Sequence, residues 1–79
     1  MDIVEISPIE QYVIDRVRAM RKEHGLSQRD LAYQLDIDQS FLAAIESPKN
    51  RAKYNLSLLN EIAKIFKCSP KDFLPDLPL

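Results

Sequence analysis

Signals that start a helix recur along this chain, and they constrain its fold more than any other feature. In a capping box, a serine and an acidic residue three positions later each accept a hydrogen bond from the other's backbone N–H. The pattern stands at Ser7–Glu10 and Ser27–Asp30, and Ser69–Asp72 repeats it around a proline. Asp38 and Asn55 are two further residues of the type that caps a helix N-terminus. Five helical segments are therefore predicted.

Apolar residues follow these starts at helical spacing, and an alternation of period two is nowhere sustained. The first predicted helix ends at Gly25, which supplies a left-handed residue, and the third runs from Gln39 to about Glu46. The expected core residues are Ile9, Val13, Val17, Met20, Leu31, Ala32, Leu35, Leu42, Ile45, Leu56, Leu59, Ile62, Ala63 and Phe66. The predicted fold is all-α, with five helices in one domain over residues 1–79, a core over 8–74 and tails at 1–7 and 75–79.

Composition excludes several classes of protein. The chain has 79 residues, a net charge of −1 and one cysteine. A single cysteine cannot form an internal disulfide, which a secreted domain of this size would normally need. No apolar run approaches the ~20 residues that cross a membrane, and the acidic N-terminus is unlike a signal peptide. We therefore expect a cytoplasmic protein that has no membrane partner.

Residue spacing gives no sign of catalysis. His24 is the only histidine, and neither it nor Cys68 has a second ligand spaced for a metal site. No Ser-His-Asp set and no pair of carboxylates falls on a common face. We expect Cys68 to be a buried thiol of the core. The sequence predicts a protein that is not an enzyme and that uses no cofactor and no metal.

The segment from Val17 to Leu74 is the informative one. A long helix ends before Leu26, and two short helices follow, joined by a tight turn at Asp36 and Ile37. Two short helices joined in this way match the helix-turn-helix geometry that enters the major groove of DNA.

At this point the chain resembles the lambda-repressor-like (XRE-type) helix-turn-helix DNA-binding family. The matching residues are the run Arg-Lys-Glu-His-Gly-Leu-Ser-Gln-Arg-Asp-Leu-Ala at 21–32, then Ile37, Gln39, Ser40, Leu42, Ile45, Glu46, Leu59, Ile62 and Ala63, and the run Cys-Ser-Pro-Lys-Asp-Phe-Leu at 68–74.

The resemblance implies a small transcriptional regulator that binds double-stranded DNA, with the second helix across the backbone and the third in the major groove. A homodimer is expected, because one such unit covers only a half-site. The positions that match base-facing residues of the family are Asp38, Gln39, Ser40 and Ala44. The positions that match or are placed for backbone phosphate contacts are Arg21, Gln28, Phe41, Ser47, Lys49, Asn50, Arg51 and Lys53.

Some residues depart from the family pattern. Asp38 places a carboxylate close to the DNA, where phosphate would repel it unless helix capping or a cytosine amino group engages it. The third helix carries no lysine or arginine, and Pro48 replaces the glycine that usually follows this helix. The connection to the fourth helix is also longer than is common in the family.

Charge is unevenly distributed along the chain. Residues 1–15 carry a net charge of −4, residues 16–53 carry +3 from eight basic and five acidic side chains, and residues 54–79 are balanced. The helix-turn-helix is therefore mildly basic although the whole chain is not, which predicts modest and salt-sensitive affinity for DNA.

Two alternatives remain open from the sequence. Acidic Asp36 and Asp38 beside apolar Phe41 would suit a helix-turn-helix module that binds a protein partner, as an antitoxin or adaptor does. A weaker alternative is a fragment of a longer regulator, although we expect a complete small protein. The candidate dimer surfaces are Phe73, Leu74, Leu77 and Leu79, or else Ile3, Val4 and Ile6 at the N-terminus.

Overall fold

The computed structural model describes residues 6–49 and 52–79. This part of the chain forms four α-helices and one short 3₁₀ helix. The elements are α1 (Pro8–Glu23), α2 (Gln28–Leu35), α3 (Gln39–Glu46), α4 (Leu56–Phe66) and the 3₁₀ helix Pro70–Phe73. The all-α prediction is confirmed, but the count of five α-helices is not. The last segment is a single 3₁₀ turn, because Pro70 and Pro75 leave only a few residues between them.

Side-chain caps start the helices where the sequence predicts. The Ser7 hydroxyl accepts from the Glu10 N–H at 3.3 Å, and the Ser7 N–H donates to Glu10 at 2.9 Å. Ser27 and Asp30 form the same box, with distances of 3.0 and 3.1 Å. Asn55 caps α4 by accepting from the Leu58 N–H at 2.7 Å. Asp38 is the exception, because it occupies the N-cap of α3 but its carboxylate makes no capping hydrogen bond.

Three helices end in the same way. Gly25 (φ 69°), Asp36 (φ 58°) and Lys67 (φ 57°) are left-handed residues that terminate α1, α2 and α4. The next residue in each case donates its N–H to a carbonyl five positions back, at 3.1, 3.0 and 3.0 Å. These donors are the apolar or weakly polar residues Leu26, Ile37 and Cys68, and all three pack against the core. This combination is the Schellman motif with its accompanying contact.

The core lies where α1, α2, α3 and α4 meet, and the 3₁₀ helix closes it. Its buried apolar residues are Val13, Ile14, Val17, Met20, Leu31, Ala32, Leu42, Ile45, Leu59, Ile62, Ala63, Phe66 and Phe73. Two of the expected core residues are instead exposed, Ile9 by 41% and Leu56 by 82%. Both lie in the first turn of a helix, where the apolar stripe extends past the elements that pack on it. Phe73 is fully buried, which removes it from the predicted dimer surface.

Candidate nucleic-acid interface

Helices α2 and α3 form a helix-turn-helix whose inner face packs into the core. Each helix has eight residues, and residues 36–38 join them. Leu31 of α2 is fully buried, as are Leu42 and Ile45 of α3. Ile37 in the turn packs against the same core. With the inner residues fixing α3 against the domain, the side chains of its first turn, Gln39, Ser40 and Phe41, are left exposed.

A buried ion pair links the helix-turn-helix to α1. The Arg21 guanidinium donates to both carboxylate oxygens of Glu46, at 2.9 and 2.8 Å. A third donor of Arg21 bonds the Leu26 carbonyl at 2.7 Å. Gln28, the first residue of α2, donates its side-chain amide to Glu46 at 2.9 Å. One carboxylate at the end of α3 thus fixes the end of α1 and the start of α2.

This network gives Arg21 a structural role. Its side chain is buried, and three of its five N–H groups donate to Glu46 and Leu26 within the domain, while its phosphate contact stays a prediction from the resemblance. Burial alone would raise the pKa of the Glu46 carboxyl. Hydrogen bonds from Arg21 and Gln28 outweigh burial and hold that pKa below its usual value. Glu46 is therefore charged at neutral pH.

The residues expected to face bases lie on the outer side of the helix-turn-helix. Asp38, Gln39 and Ser40 are exposed, and Ala44 is half-buried. Phe41 is 43% exposed and lines a shallow depression with Asp36, Ile37 and Asp38. The structure brings Asp38 and Phe41 together in this depression, while Gln39 and Ser40 are exposed next to them in the chain and Ala44 lies farther along α3.

The residues expected to contact phosphates differ in their exposure and in the partners they already have. Gln28 is half-buried with its amide N–H₂ donating to Glu46, and Ser47 is half-buried with its hydroxyl accepting from the Lys49 N–H at 3.3 Å. Lys49 is exposed. Lys53 pairs with Glu10 of α1 at 2.9 Å. Asn50 and Arg51 lie outside the described residues, so they remain predictions from the resemblance.

Arg29 is a candidate that the sequence reasoning missed. It lies in the first turn of α2, it is exposed, and it lines a shallow depression with Tyr33 one turn later. Tyr33 is 86% exposed. The available signal was the spacing of four residues between Arg29 and Tyr33, outside the apolar stripe of Leu31 and Ala32.

A separate apolar groove lies between α1 and α4. It encloses about 180 Å³ and is lined by Ile9, Glu10, Val13, Lys53, Tyr54, Leu56, Leu59 and Leu74. The Tyr54 hydroxyl is buried and has no hydrogen-bond partner among the described residues. Burial raises the pKa of this phenol well above its ordinary value, so Tyr54 is neutral.

Within residues 6–49 and 52–79, no group of three histidine, cysteine or acidic side chains converges as metal ligands would. None of the helices described has the length and apolar character needed to cross a bilayer.

Comparison with known proteins agrees with this geometry. The model of the family described as "Helix-turn-helix domain" matches residues 14–75. The hypothetical transcription factor NHTF from Neisseria superposes with a TM-score of 0.74 at 21% identity, over 95% of this chain and 84% of that one. The restriction-modification controller protein C.AhdI from Aeromonas hydrophila gives a TM-score of 0.65 at 26% identity, over 80% of this chain and 92% of that one.

No curated protein matches the chain. The family model nevertheless spans most of the sequence, and both solved structures share its fold. The chain therefore belongs to the helix-turn-helix domain family, in the lambda-repressor-like form that its sequence resembles.

Proposed function

We propose that this protein is a transcriptional regulator that binds double-stranded DNA sequence-specifically through α2 and α3. Helix α2 lies across the backbone, and α3 enters the major groove. The proposal rests on how the side chains of α3 are divided between the core and the exposed surface. Leu42 and Ile45 anchor the helix in the core, while Asp38, Gln39 and Ser40 are exposed and carry hydrogen-bonding groups that suit base edges.

The phosphate contacts are assigned to residues that flank this outer surface. Gln28 and Arg29 open α2, where helix N–H groups attract an anion. Lys49 follows α3 on the other side and is exposed. Asn50 and Arg51 join this set through the family resemblance. Lys53 reaches a phosphate only by releasing Glu10, so its contribution is smaller than that of Lys49.

Two matched variants test this proposal by mobility shift on random duplex DNA at ~50 mM and ~200 mM salt. Lys49→Ala removes an exposed charge beside α3, so affinity falls on every sequence and the salt slope falls by about one. Lys71→Ala removes an exposed lysine from the 3₁₀ helix and leaves affinity within about twofold of the wild type. Equal effects of the two variants would place the DNA surface elsewhere.

The same proposal includes a homodimer in the cytoplasm. One helix-turn-helix reads a half-site, and a second copy related by twofold symmetry reads the other. The surface that favours pairing combines the exposed first-turn residues Ile9 and Leu56 with Leu74, which line the apolar groove together. Leu77 and Leu79 follow Leu74 and are exposed by 75% and 66%.

A protein-binding module is the second candidate, and one observation favours it. The depression at the α2–α3 turn is lined by two carboxylates and two apolar side chains, Asp36, Asp38, Ile37 and Phe41. That surface suits a basic partner better than a phosphate. Absence of any wild-type mobility shift at ~50 mM salt, where phosphate contacts are strongest, would favour this candidate over DNA binding.

A further inference from the structure

Among the N-caps of the described helices, Asp38 is the one whose side chain makes no capping hydrogen bond. Ser7, Ser27, Asn55 and Ser69 each accept a hydrogen bond from the backbone of the helix that follows. Asp38 holds the same extended conformation, with φ −67° and ψ 137°, but its carboxylate accepts no such bond. It is exposed, and it forms no hydrogen bond or ion pair with another described residue. Both carboxylate oxygens are therefore available to an external donor.

The residue types of α3 limit which groups of DNA can donate a hydrogen bond to Asp38. From Gln39 to Glu46 the helix carries no lysine, arginine or histidine, so no cation on α3 neutralises Asp38 when the helix enters a groove. A carboxylate only accepts hydrogen bonds. In the major groove the amino groups of cytosine and adenine are donors, while the guanine and thymine edges present acceptors. A guanine or thymine edge facing Asp38 would be repelled.

Cytosine fits a carboxylate better than adenine does. The adenine amino group lies beside the acceptor N7, which repels the second carboxylate oxygen. On its own ring the cytosine amino group is flanked by C5–H instead of an acceptor, so guanine O6 lies on one side of it only, whereas the adenine amino group has an acceptor on both sides. We infer that Asp38 is a specificity-determining residue that selects cytosine on the strand facing the start of α3. This inference rests on the proposed entry of α3 into the major groove.

Asp36 provides a matched control for Asp38. It lies two residues earlier, carries the same charge and is also exposed. Its left-handed backbone ends α2, and its N–H bonds the carbonyls of that helix. Neutralising Asp36 therefore changes the charge of the turn by the same amount but leaves Asp38, the residue proposed to contact the base, unaltered.

The test is selection of bound duplexes from a random pool by the wild type, Asp38→Asn and Asp36→Asn. We expect the wild type to enrich cytosine at one position of each half-site. An amide pairs with adenine through N6 and N7, so Asp38→Asn shifts that single position from cytosine to adenine. Asp36→Asn keeps the wild-type preference at every position. On the selected duplex, replacing that cytosine weakens wild-type binding about tenfold.

Each other outcome has a distinct meaning. Enrichment of the same sites by the wild type and Asp38→Asn overturns the assignment of Asp38 but leaves DNA binding intact. A shift caused equally by Asp36→Asn also overturns it, because net charge would then be the cause. If none of the three proteins retains DNA, the proposed function itself fails, and the assignment fails with it. Circular dichroism of each variant confirms that the folds compared are the same.

Discussion

At the scale of single residues, Glu46 connects three helices through one buried carboxylate. It accepts hydrogen bonds from Arg21 at the end of α1 and from Gln28 at the start of α2. Two charges buried together cost desolvation energy, and the geometry of two parallel N–H···O bonds offsets that cost. The pair fixes how the end of α3 meets the end of α1, and so where the outer residues of α3 point.

Removing one partner of this pair is expected to be far more costly than removing both. Glu46→Ala leaves the Arg21 guanidinium buried without a counter-charge, which costs about 3–5 kcal/mol. The double variant Arg21→Met with Glu46→Leu removes both charges and stays within about 1 kcal/mol of the wild type. Urea unfolding monitored by circular dichroism measures both values.

A surface pair provides the control. Glu61 and Lys64 are exposed on α4 and lie 3.0 Å apart, so Glu61→Ala changes stability by less than about 0.5 kcal/mol. The burial argument is wrong if Glu46→Ala and Glu61→Ala destabilise the fold equally.

Sequence reasoning identified Arg21 and Glu46 as family positions but did not pair them. Their separation of 25 residues reveals nothing, because their contact depends on how α1 and α3 cross in space. The same holds for Lys53 and Glu10, which the sequence placed in a DNA-contacting connection and in a capping box. Residue types can be read from a sequence, but such partners depend on tertiary packing.

At the scale of elements, starts were predicted better than ends. A capping box needs only residues three positions apart, so local sequence determines it, and Ser7, Ser27 and Asn55 all cap as expected. The left-handed ends at Asp36 and Lys67 lack the glycine that marked Gly25. Their shared signal is the apolar residue that follows, because its contact with the core stabilises the turn.

The α1 capping box makes stability depend on pH. Hydrogen bonds from Ser7 and the contact with Lys53 lower the pKa of Glu10 to about 2. A lowered pKa adds stability that is fully present above the unfolded value of roughly 4.3 and is lost as the pH falls toward the folded value. We therefore expect the midpoint temperature of thermal unfolding to decrease as the pH is lowered from about 4.5 to about 2.

Two variants separate the charge of Glu10 from its capping geometry. Glu10→Gln retains an oxygen that accepts from Ser7 but has no carboxyl to titrate, so the midpoint falls less steeply with acid. Glu10→Ala loses the capping bond as well and has a lower midpoint than Glu10→Gln at pH 6. If Glu10→Gln reproduced the wild-type acid profile, another carboxyl would be responsible for the dependence.

At the scale of the whole molecule, the distribution of apolar surface is the part that sequence periodicity described least well. Helical spacing assigns a residue to a stripe, but it does not say whether another element covers that stripe along its full length. Ile9 and Leu56 belong to the correct stripes and remain exposed because no described element packs over the first turns of α1 and α4 there. Conversely, Phe73 lies in a short terminal turn that folds inward and completes the core.

This uncovered surface leads to a prediction about assembly. Leu56 is 82% exposed, so Leu56→Asp should leave the monomer folded while placing a charge in the proposed dimer interface. In a twofold-symmetric dimer each copy carries the substitution, so the interface contains two of the introduced charges. Because burying one leucine contributes about 1.5–3 kcal/mol, we expect the dissociation constant of the dimer to rise more than tenfold. Sedimentation equilibrium on the wild type and the variant measures this change.

Tyr33→Asp is the matched control for that experiment. Tyr33 is as exposed as Leu56 but lies on α2, beside Arg29 and away from the apolar groove. It should leave the association constant unchanged. A monomeric wild type, or equal dissociation of both variants, would show that the two copies do not meet at Leu56.

The division of α3 has a consequence for how such a protein changes its target. Leu42 and Ile45 maintain the fold, whereas Gln39 and Ser40 are exposed and do not belong to the core. Substitutions at these outer positions therefore meet little selection for stability. A lineage can acquire a new operator by a few outward changes on an unaltered scaffold, and an engineer can exchange the same positions to redirect the protein to a chosen sequence.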